Sequence, residues 1–461
     1  MTELKRVVGR TDLVLLFVVA IVNLNVVPVI ASGGAVTVWL WLLALAFFFL
    51  PQAVAVIEMS RRQPGEGGVY LWVKGVFGDF HGFVSGWCYW TNNVFYVPTV
   101  VLYLVGISVY VAGPEAAHLA DDHRFAAVVS LALLWVLVAV NVRGLGVGKW
   151  VNNLGGIGTG VAAAALIGLA LLVARTQGVG LSAADFRIAD ADWRWISSFG
   201  VICFGLVGLE LGSVMGDEIR DPARTIPGAV VWGGVLSGVL YLGATLAVLL
   251  AVPGQDIGVV QGILQAVSRM AADTGLTALV PPLAFVLSVS IAGIASAWLG
   301  GSARIPFVAG LDAYLPPALG RLHPRFATPY VALLTHGALS SLFVLMSFVG
   351  STVKEAYITL LDLAVVLQLV PFLYLYAALI RLAAPAAVEP AFFRKGTLRL
   401  AGWCGLTTTA LGMIVAFVPS RQVSSVWLFE LKMLLGCGFF LGLSTVFFFT
   451  SKRRRAAPAA P

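Results

Sequence analysis

The chain has 461 residues, of which 59% are hydrophobic and 11% are charged. A soluble domain carries about twice that charged fraction, so the composition excludes a water-soluble globular protein and indicates a polytopic membrane protein. The net charge of +7 is explained by lysines and arginines at the surface of a lipid membrane, and no feature of the sequence points to a nucleic acid partner.

The apolar runs predict twelve membrane-spanning helices, named spans 1 to 12 from here on. A helix that crosses a bilayer needs about 20 mostly apolar residues, and the runs lack the alternating polarity of barrel strands. The predicted fold class is therefore an all-α polytopic membrane protein. The first six spans are expected at 13–31, 36–59, 83–111, 125–141, 151–174 and 195–215. The last six are expected at 229–252, 279–301 with an extension to about 309, 330–348, 357–380, 400–417 and 426–450.

The lysines and arginines predict how the chain sits in the membrane. Loops and tails on the side of the N-terminus hold 21 of these residues, whereas the opposite loops hold 7. Because positively charged loops stay in the cytosol, both termini are expected there, in a multi-pass protein of the cytoplasmic membrane. The tails at 1–12 and 451–461 are then cytosolic.

No metal-binding or catalytic motif is present in the sequence. The cysteines Cys88, Cys203, Cys404 and Cys437 all fall inside predicted spans, and the five histidines lack the spacing of metal ligands. There is no phosphate-binding loop, no nucleophile elbow and no cluster of carboxylates. We therefore expect no cofactor, no metal site and no enzymatic activity.

Two spans contain interruptions at corresponding places. Span 1 carries Asn23, Asn25 and Pro28 in its middle, and span 6 carries Gly205 and Gly208. Each interruption alone fits ordinary helix packing. Because they open two successive sets of five spans, we predict the paired broken helices of an inverted-repeat transporter, whose freed backbone groups can hold a substrate with a carboxylate and an amine. The predicted division is a transport core at 13–380, repeats at about 13–174 and 195–380, and two trailing spans at 400–450.

Three stretches resemble motifs of the amino acid–polyamine–organocation superfamily. GEGGVYLWVKGVFG at 65–78 is similar to its loop between spans 2 and 3, and GLELGSVMGDEIRDPARTIPGAV at 208–230 to its exit from span 6. SARIPFVAGLDAYLP at 302–316 is similar to its segment after span 8, and the resemblance covers nearly the whole chain. VVPVIASGG in span 1 and WCYWTNNVFYVP in span 3 look closest to glutamate/GABA-type antiporters and to cationic amino acid or polyamine carriers.

The resemblance implies a leucine-transporter-like fold of two inverted five-helix repeats and two trailing helices, with alternating access and no use of ATP. It implies that substrate lies between spans 1, 3, 6, 8 and 10. Val22, Asn23 and Leu24 fall at the break in span 1, where the superfamily usually carries Gly-Ser-Gly. Some proton-coupled members have a lysine in span 5 that takes the place of a sodium ion. This chain has Thr159 in that region, so the resemblance does not imply a lysine of that kind here. We expect a proton rather than sodium to be the coupled ion.

The resemblance also assigns roles in spans 6 and 8. Phe204 falls on the position of an aromatic gate, and Trp298 on an aromatic residue that closes the site from the cytosolic side. Gly205 and Gly208 belong to the substrate-binding break, and Glu210 matches a widely shared glutamate. Glu210 is either a hydrogen-bonded carboxyl that ties helices together or a proton-responsive group for coupling or gating. Its place beside a break favours the second role.

Polar residues in spans 3 and 10 are further candidates. Asp362 in span 10 falls where a superfamily antiporter contacts the substrate side chain, and it would suit a cationic amino acid or a polyamine. The alternative is that Asp362 pairs with a neighbouring polar group and never meets the substrate. Asn92, Asn93 and Tyr96 either line the cavity or bond neighbouring helices.

Charged residues near the inner helix ends are expected to form salt bridges. They are Asp217, Glu218, Arg220, Asp221, Arg224 and Arg304. Such pairs either hold one conformation of an alternating-access protein closed or are static, and the sequence leaves both open.

The sequence thus predicts a secondary-active transporter of amino acids, working by proton-coupled symport or by exchange, with a possible preference for cationic amino acids or polyamines. The expected partners are the substrate, a proton and membrane lipid, in a monomer or homodimer. The alternative is a transport-inactive amino acid sensor or accessory membrane subunit with the same fold.

Overall fold

The structure, a computed structural model, describes residues 6–178, 180–188, 193–252, 256–258, 261–346, 353–384, 392–418 and 425–456. Within these residues every regular element is a helix or helical turn, apart from two isolated β-bridges. Ten helices of the described chain are long and apolar enough to cross a membrane. Two shorter apolar helices, Trp195–Gly205 and Tyr330–Met346, occupy the places of spans 6 and 9. The predicted all-α polytopic fold is confirmed.

Two spans consist of separate helices joined by an irregular segment. Span 1 comprises Arg10–Ile21 and Val27–Ala31, and span 6 comprises Ser198–Gly205 and Leu211–Val214. Span 2 joins Thr37–Ala44 to Leu50–Arg62 through a π-helical turn at Leu45–Phe49. Spans 3, 4, 5 and 7 are Asp79–Ser108, His123–Val142, Leu145–Gln177 and Pro222–Ala251. Spans 8 to 12 are Val280–Ser302, Tyr330–Met346, Val353–Leu382, Lys395–Val415 and Val426–Ala456.

Several helix ends differ from the predicted ones. Span 5 begins at Leu145 rather than at 151, directly after Gly144, whose φ of +94° ends the preceding turn. The predicted extension of span 8 is a separate helix, Arg304–Leu311, which follows Ala303. Hydropathy marks the lipid-facing length of a helix, so it misses polar turns that continue beyond the bilayer. Residues 347 and 348 of predicted span 9 lie outside the described residues.

Span 1 lies in the centre of the bundle, packed against spans 5, 7 and 8. Phe17, Val19 and Ile21 have no exposed surface. Gly155 of span 5 and Gly293 of span 8 face each other beside Val19, and a Cβ on Gly155 would lie 2.7 Å from the Gly293 Cα. Small residues at this contact let the two helices close around span 1, which is a common device in membrane bundles.

Candidate substrate-binding site

The break in span 1 lies at Val22 and Asn23. Their φ/ψ values are −76°/73° and −79°/82°, which are close to those of inverse γ-turns. The Asn23 amide donates to the Ile21 carbonyl at 2.7 Å, and the Leu24 amide donates to the Val22 carbonyl at 3.0 Å. A 3-10 turn at Leu24–Val26 then leads into the second helix. The predicted interruption of span 1 is confirmed.

The break in span 6 lies between Gly205 and Leu211 and faces the break in span 1. Gly208 has a φ of +142°, a conformation that strongly favours glycine. A Cβ at this position would lie 2.8 Å from Cγ1 of Ile21 and 3.3 Å from the backbone carbon of Ala20. Gly208 therefore allows both the turn and the close approach of the two broken helices, and the predicted interruption of span 6 is confirmed.

The Tyr241 hydroxyl, from span 7, connects the two breaks. It accepts a hydrogen bond from the Asn23 amide at 2.8 Å. It also lies 2.5 Å from the Ile21 carbonyl oxygen and 3.0 Å from the Gly205 carbonyl oxygen. A hydroxyl has one proton to donate, so these two carbonyls share it. Tyr241 is fully buried, and its ring packs on Trp41 with centroids 4.5 Å apart. One side chain thus fixes the geometry of both unwound segments.

The Ala20 carbonyl, exposed by the break, is capped by two side chains. It accepts hydrogen bonds from Trp298 Nε1 at 3.1 Å and from Asn23 Nδ2 at 3.0 Å. Trp298 also belongs to a buried aromatic cluster. The Tyr96 ring lies 4.9 Å from Phe204 and 6.3 Å from Trp298, centroid to centroid. Spans 1, 3, 6 and 8 therefore meet at the breaks through these side chains.

Glu210 is the last residue of the second break, and its carboxylate accepts hydrogen bonds from three donors. Its Oε2 accepts from the Gly208 amide at 3.0 Å and from Gln52 Nε2 at 2.9 Å. Its Oε1 accepts from the Tyr89 hydroxyl at 3.0 Å. The side chain has no exposed surface. Glu210 satisfies an amide that the break has released and ties spans 2, 3 and 6 together at this point.

Six buried amide oxygens have no hydrogen-bond partner among the residues that the structure describes, and two of them bear on the proposed substrate amine. These two are Oδ1 of Asn23, at the first break, and Oδ1 of Asn93 in span 3. Asn93 lies on the same face of its helix as Tyr89 and Tyr96, because residues three and four apart are neighbours on a helix. A buried acceptor without a partner costs roughly 1–3 kcal/mol. These oxygens are therefore suited to a ligand that donates hydrogen bonds, such as an ammonium group.

The breaks are covered on the side of the bundle that carries the N-terminus. We call this end the N-terminal face; it consists of residues 6–9, 63–68 and 214–221. Val8 forms a parallel β-bridge with Ile219, and Glu66 forms an antiparallel bridge with Met215. A Cβ on Gly68 would lie 2.8 Å from the Val214 amide nitrogen, so the chain segments are in direct backbone contact. The structure is closed at this face.

A profile of the amino acid permease family matches residues 7–440, which is nearly the whole chain. The chain belongs to the amino acid permease family. Its predicted membership of the amino acid–polyamine–organocation superfamily is thereby confirmed, and it is a transporter-family protein rather than an enzyme.

Related transporters match most or all of this permease. It is 27% identical to an uncharacterised transporter of Legionella pneumophila, over 97% of both chains. It is 25% identical to the cadaverine/lysine antiporter of Escherichia coli, over 86% of this chain and 84% of the relative. It is 23% identical to a probable agmatine/putrescine antiporter of Lactococcus lactis, over 69% of this chain and 67% of the relative.

Most of the predicted site residues of the permease lie at or beside the two breaks. They are Val22, Asn23, Leu24, Phe204, Gly205, Gly208, Glu210 and Trp298, with Asn93 on the neighbouring span 3. Asp362 is different: it is half-buried in span 10, and no described residue donates a hydrogen bond to its carboxylate. Arg304 and Glu218, two of the six charged residues expected to form salt bridges, form one with each other at 2.9 Å.

Three side chains that shape the permease site are not among the residues predicted from the sequence. Tyr241 holds both breaks, and Gln52 and Tyr89 hold Glu210. Each is a polar residue inside a predicted apolar span, which is a signal that hydropathy alone does not weigh. A search for intramembrane hydroxyl and amide groups would have selected them, without showing which backbone groups they contact.

Proposed function

We propose that this permease is a secondary-active transporter that carries amino acids or polyamines across the cytoplasmic membrane by alternating access. The observation that supports this most directly is the pair of unwound segments held against each other by the Tyr241 hydroxyl. Paired broken helices at corresponding places are typical of transporters with inverted repeats. On the predicted orientation, with both termini in the cytosol, the closed N-terminal face is the cytosolic one.

The proposed substrate site lies where the breaks meet the aromatic cluster. The oxygens of Asn23 and Asn93 would accept from the substrate amine, and the unwound backbone near Gly205 and Gly208 would receive its carboxylate. Phe204 and Trp298 would enclose it. The full proposed set is Val22, Asn23, Leu24, Asn93, Phe204, Gly205, Gly208, Trp298 and Asp362.

A proton is the proposed coupled ion, and Glu210 is the proposed group that binds it. Its three donors suit the charged carboxylate, and two of them, the Tyr89 hydroxyl and the Gln52 amide group, can also accept a hydrogen bond from a protonated one. The corresponding region of span 5 carries Thr159 instead of a lysine, and its hydroxyl already bonds Ser290 at 2.6 Å and the Gly155 carbonyl at 2.9 Å. Uptake driven by a proton gradient indicates symport, whereas uptake driven by internal substrate indicates exchange.

Reconstituted permease tests the proposal. Uptake of each of the twenty amino acids and of putrescine, cadaverine and agmatine is measured in proteoliposomes, once with a proton gradient and once with substrate inside. We expect flux for a cationic amino acid or polyamine under at least one condition. Absence of flux for every compound under both conditions would contradict the proposal.

Asp362→Asn tests the preference for cationic substrates. Loss of a charge-assisted bond costs roughly 1.5–3 kcal/mol, so KM for lysine or putrescine should rise by about tenfold or more while uptake of neutral substrates is unchanged. Asp79→Asn is the matched control, because the Asp79 side chain is 57% exposed at the start of span 3. Unchanged transport of lysine, arginine and putrescine by Asp362→Asn would remove Asp362 from the site.

The second candidate function is a sensor or accessory subunit that binds an amino acid without transporting it. The buried acceptors of Asn23 and Asn93 suit binding in either case. A sensor would gain thermal stability with its ligand and show no flux in proteoliposomes, which separates it from a transporter.

A further inference from the structure

At the N-terminal face two carboxylates share one arginine, and all three side chains are buried. Arg304 Nη2 donates to both carboxylate oxygens of Glu218, at 2.9 and 3.1 Å. Arg304 Nε lies 3.6 Å from Glu66 Oε1, which is too long for a hydrogen bond. The side chains of Arg304, Glu66 and Glu218 are 1%, 5% and 5% exposed. One guanidinium cannot balance two carboxylates, so the cluster carries an excess negative charge when both are ionised.

Glu66 is the less satisfied of the two carboxylates. Its Oε1 and the Arg304 Nε have no hydrogen-bond partner among the described residues. Its Oε2 accepts only a long hydrogen bond, 3.3 Å, from the Asp217 amide. The charged groups that face it are Glu218, Arg304 and Asp217. Burial raises the pKa of Glu66 well above its ordinary value, the charge of Glu218 raises it further, and Arg304 opposes both.

The cluster joins three elements that meet at the closed N-terminal face. Glu66 precedes the short helix Val69–Phe77, Glu218 follows the broken span 6, and Arg304 follows span 8. Any opening of this face must separate these three elements and expose Glu66 to water. Glu218 also lines a cavity of about 130 Å³ whose other walls include the exposed side chains of Arg143 and Arg325. The cavity therefore adjoins the cluster at Glu218.

We propose that Glu66 is a proton-binding site of the closed N-terminal face, which takes up a proton as the face closes and releases it as the face opens. The assignment of this face to the cytosol rests on the proposed function. The closed state has the higher affinity for the proton, so acid favours closure. The proton's stabilisation of the closed state is complete below the ordinary pKa of glutamate. It is lost as pH rises through the raised pKa of Glu66.

The test measures opening directly, by the distance between two nitroxide labels in the ligand-free protein. The labels replace Arg220, two residues after Glu218, and Arg321, which follows a turn packed against the helix Arg304–Leu311; both residues are exposed. The four native cysteines are first replaced by alanine. Between about pH 5 and about pH 9 the open-to-closed ratio should rise by up to roughly tenfold per pH unit, as expected for one proton. Glu66→Gln, which cannot ionise, should remain closed throughout.

Asp221→Asn is the matched control, since Asp221 is an exposed carboxylate of the same face. The label distance in this variant should depend on pH as it does in the wild type. A pH-independent distance in the wild type, or an unaltered titration in Glu66→Gln, would overturn the inference. Neither measurement involves flux. If the label distance does not depend on pH but the protein transports substrate, this inference fails and the proposed function stands. If the distance depends on pH but the protein transports nothing, the proposed function fails and this inference stands.

Discussion

Tyr241→Phe is expected to lower transport by at least tenfold and to destabilise the fold by roughly 1–3 kcal/mol, the cost of leaving buried polar groups without partners. The hydroxyl is the group that bonds the Asn23 amide while sharing its proton between the Ile21 and Gly205 carbonyls. The amide keeps its γ-turn bond to Ile21, but the link between the two breaks is lost. The ring contact with Trp41 is retained, so packing changes little. Uptake in proteoliposomes and thermal unfolding measure the two effects.

Tyr376→Phe provides the matched control. Its hydroxyl is also buried in the bundle, and it donates to the Phe48 carbonyl at 2.8 Å, which belongs to neither break. This variant should lose comparable stability and keep transport. If the two variants transport equally well and have the same thermal stability, Tyr241 is a structural residue without a role in positioning the breaks.

The positions of the breaks could be predicted from the sequence, but their geometry could not. Asn23 and Pro28 in span 1, and Gly205 and Gly208 in span 6, are visible as departures from an apolar helix. Val22 and Asn23 are not glycine, and nothing local predicts consecutive inverse γ-turns there. The conformation is stabilised by Tyr241, a residue 218 positions away from Asn23. Long-range hydrogen bonds of this kind leave no periodic signal.

The charged cluster at the N-terminal face could likewise be predicted only in part from the sequence. Arg304 and Glu218 belong to the six charged residues expected to form salt bridges, but the sequence did not predict which of them pair. Glu66 stands in the GEGGVYLW motif, where a loop carboxylate is ordinarily solvated, so the sequence gives no reason to expect it 95% buried beside a second carboxylate. Its environment is created by the fold, which brings the chain after span 2 against the exits of spans 6 and 8.

Asp362 is the opposite case, a residue that the sequence makes prominent and the structure leaves without a described hydrogen-bond donor. A charge in an apolar span is costly and so attracts a functional interpretation. The contact with substrate was inferred from resemblance alone, and it depends on how span 10 faces the breaks. Substrate selectivity is therefore the part of the site that most needs the Asp362→Asn measurement.

Glu210→Gln is expected to abolish the dependence of uptake on a proton gradient, lowering gradient-driven uptake by roughly tenfold or more, a typical coupling between two sites. Exchange of substrate across the membrane should persist. The carboxylate accepts from the amide of Gly208, from Gln52 and from Tyr89. The backbone amide of Gly208 can only donate. The Tyr89 hydroxyl can also accept, and the Gln52 side chain can turn to present its amide oxygen, which has no described partner. A neutral glutamine at 210 can therefore be accommodated as a protonated glutamate would be.

Tyr89→Phe separates the loss of charge from the loss of a hydrogen bond. It removes one donor at 3.0 Å and keeps the carboxylate, so we expect lower stability with gradient-driven uptake retained. Should Glu210→Gln keep the wild-type response to the gradient, Glu210 would be a residue that only holds the broken helix in place. Coupling would then have to reside in another buried carboxyl, and Glu66, whose burial depends on closure of the N-terminal face, would be the next one to replace.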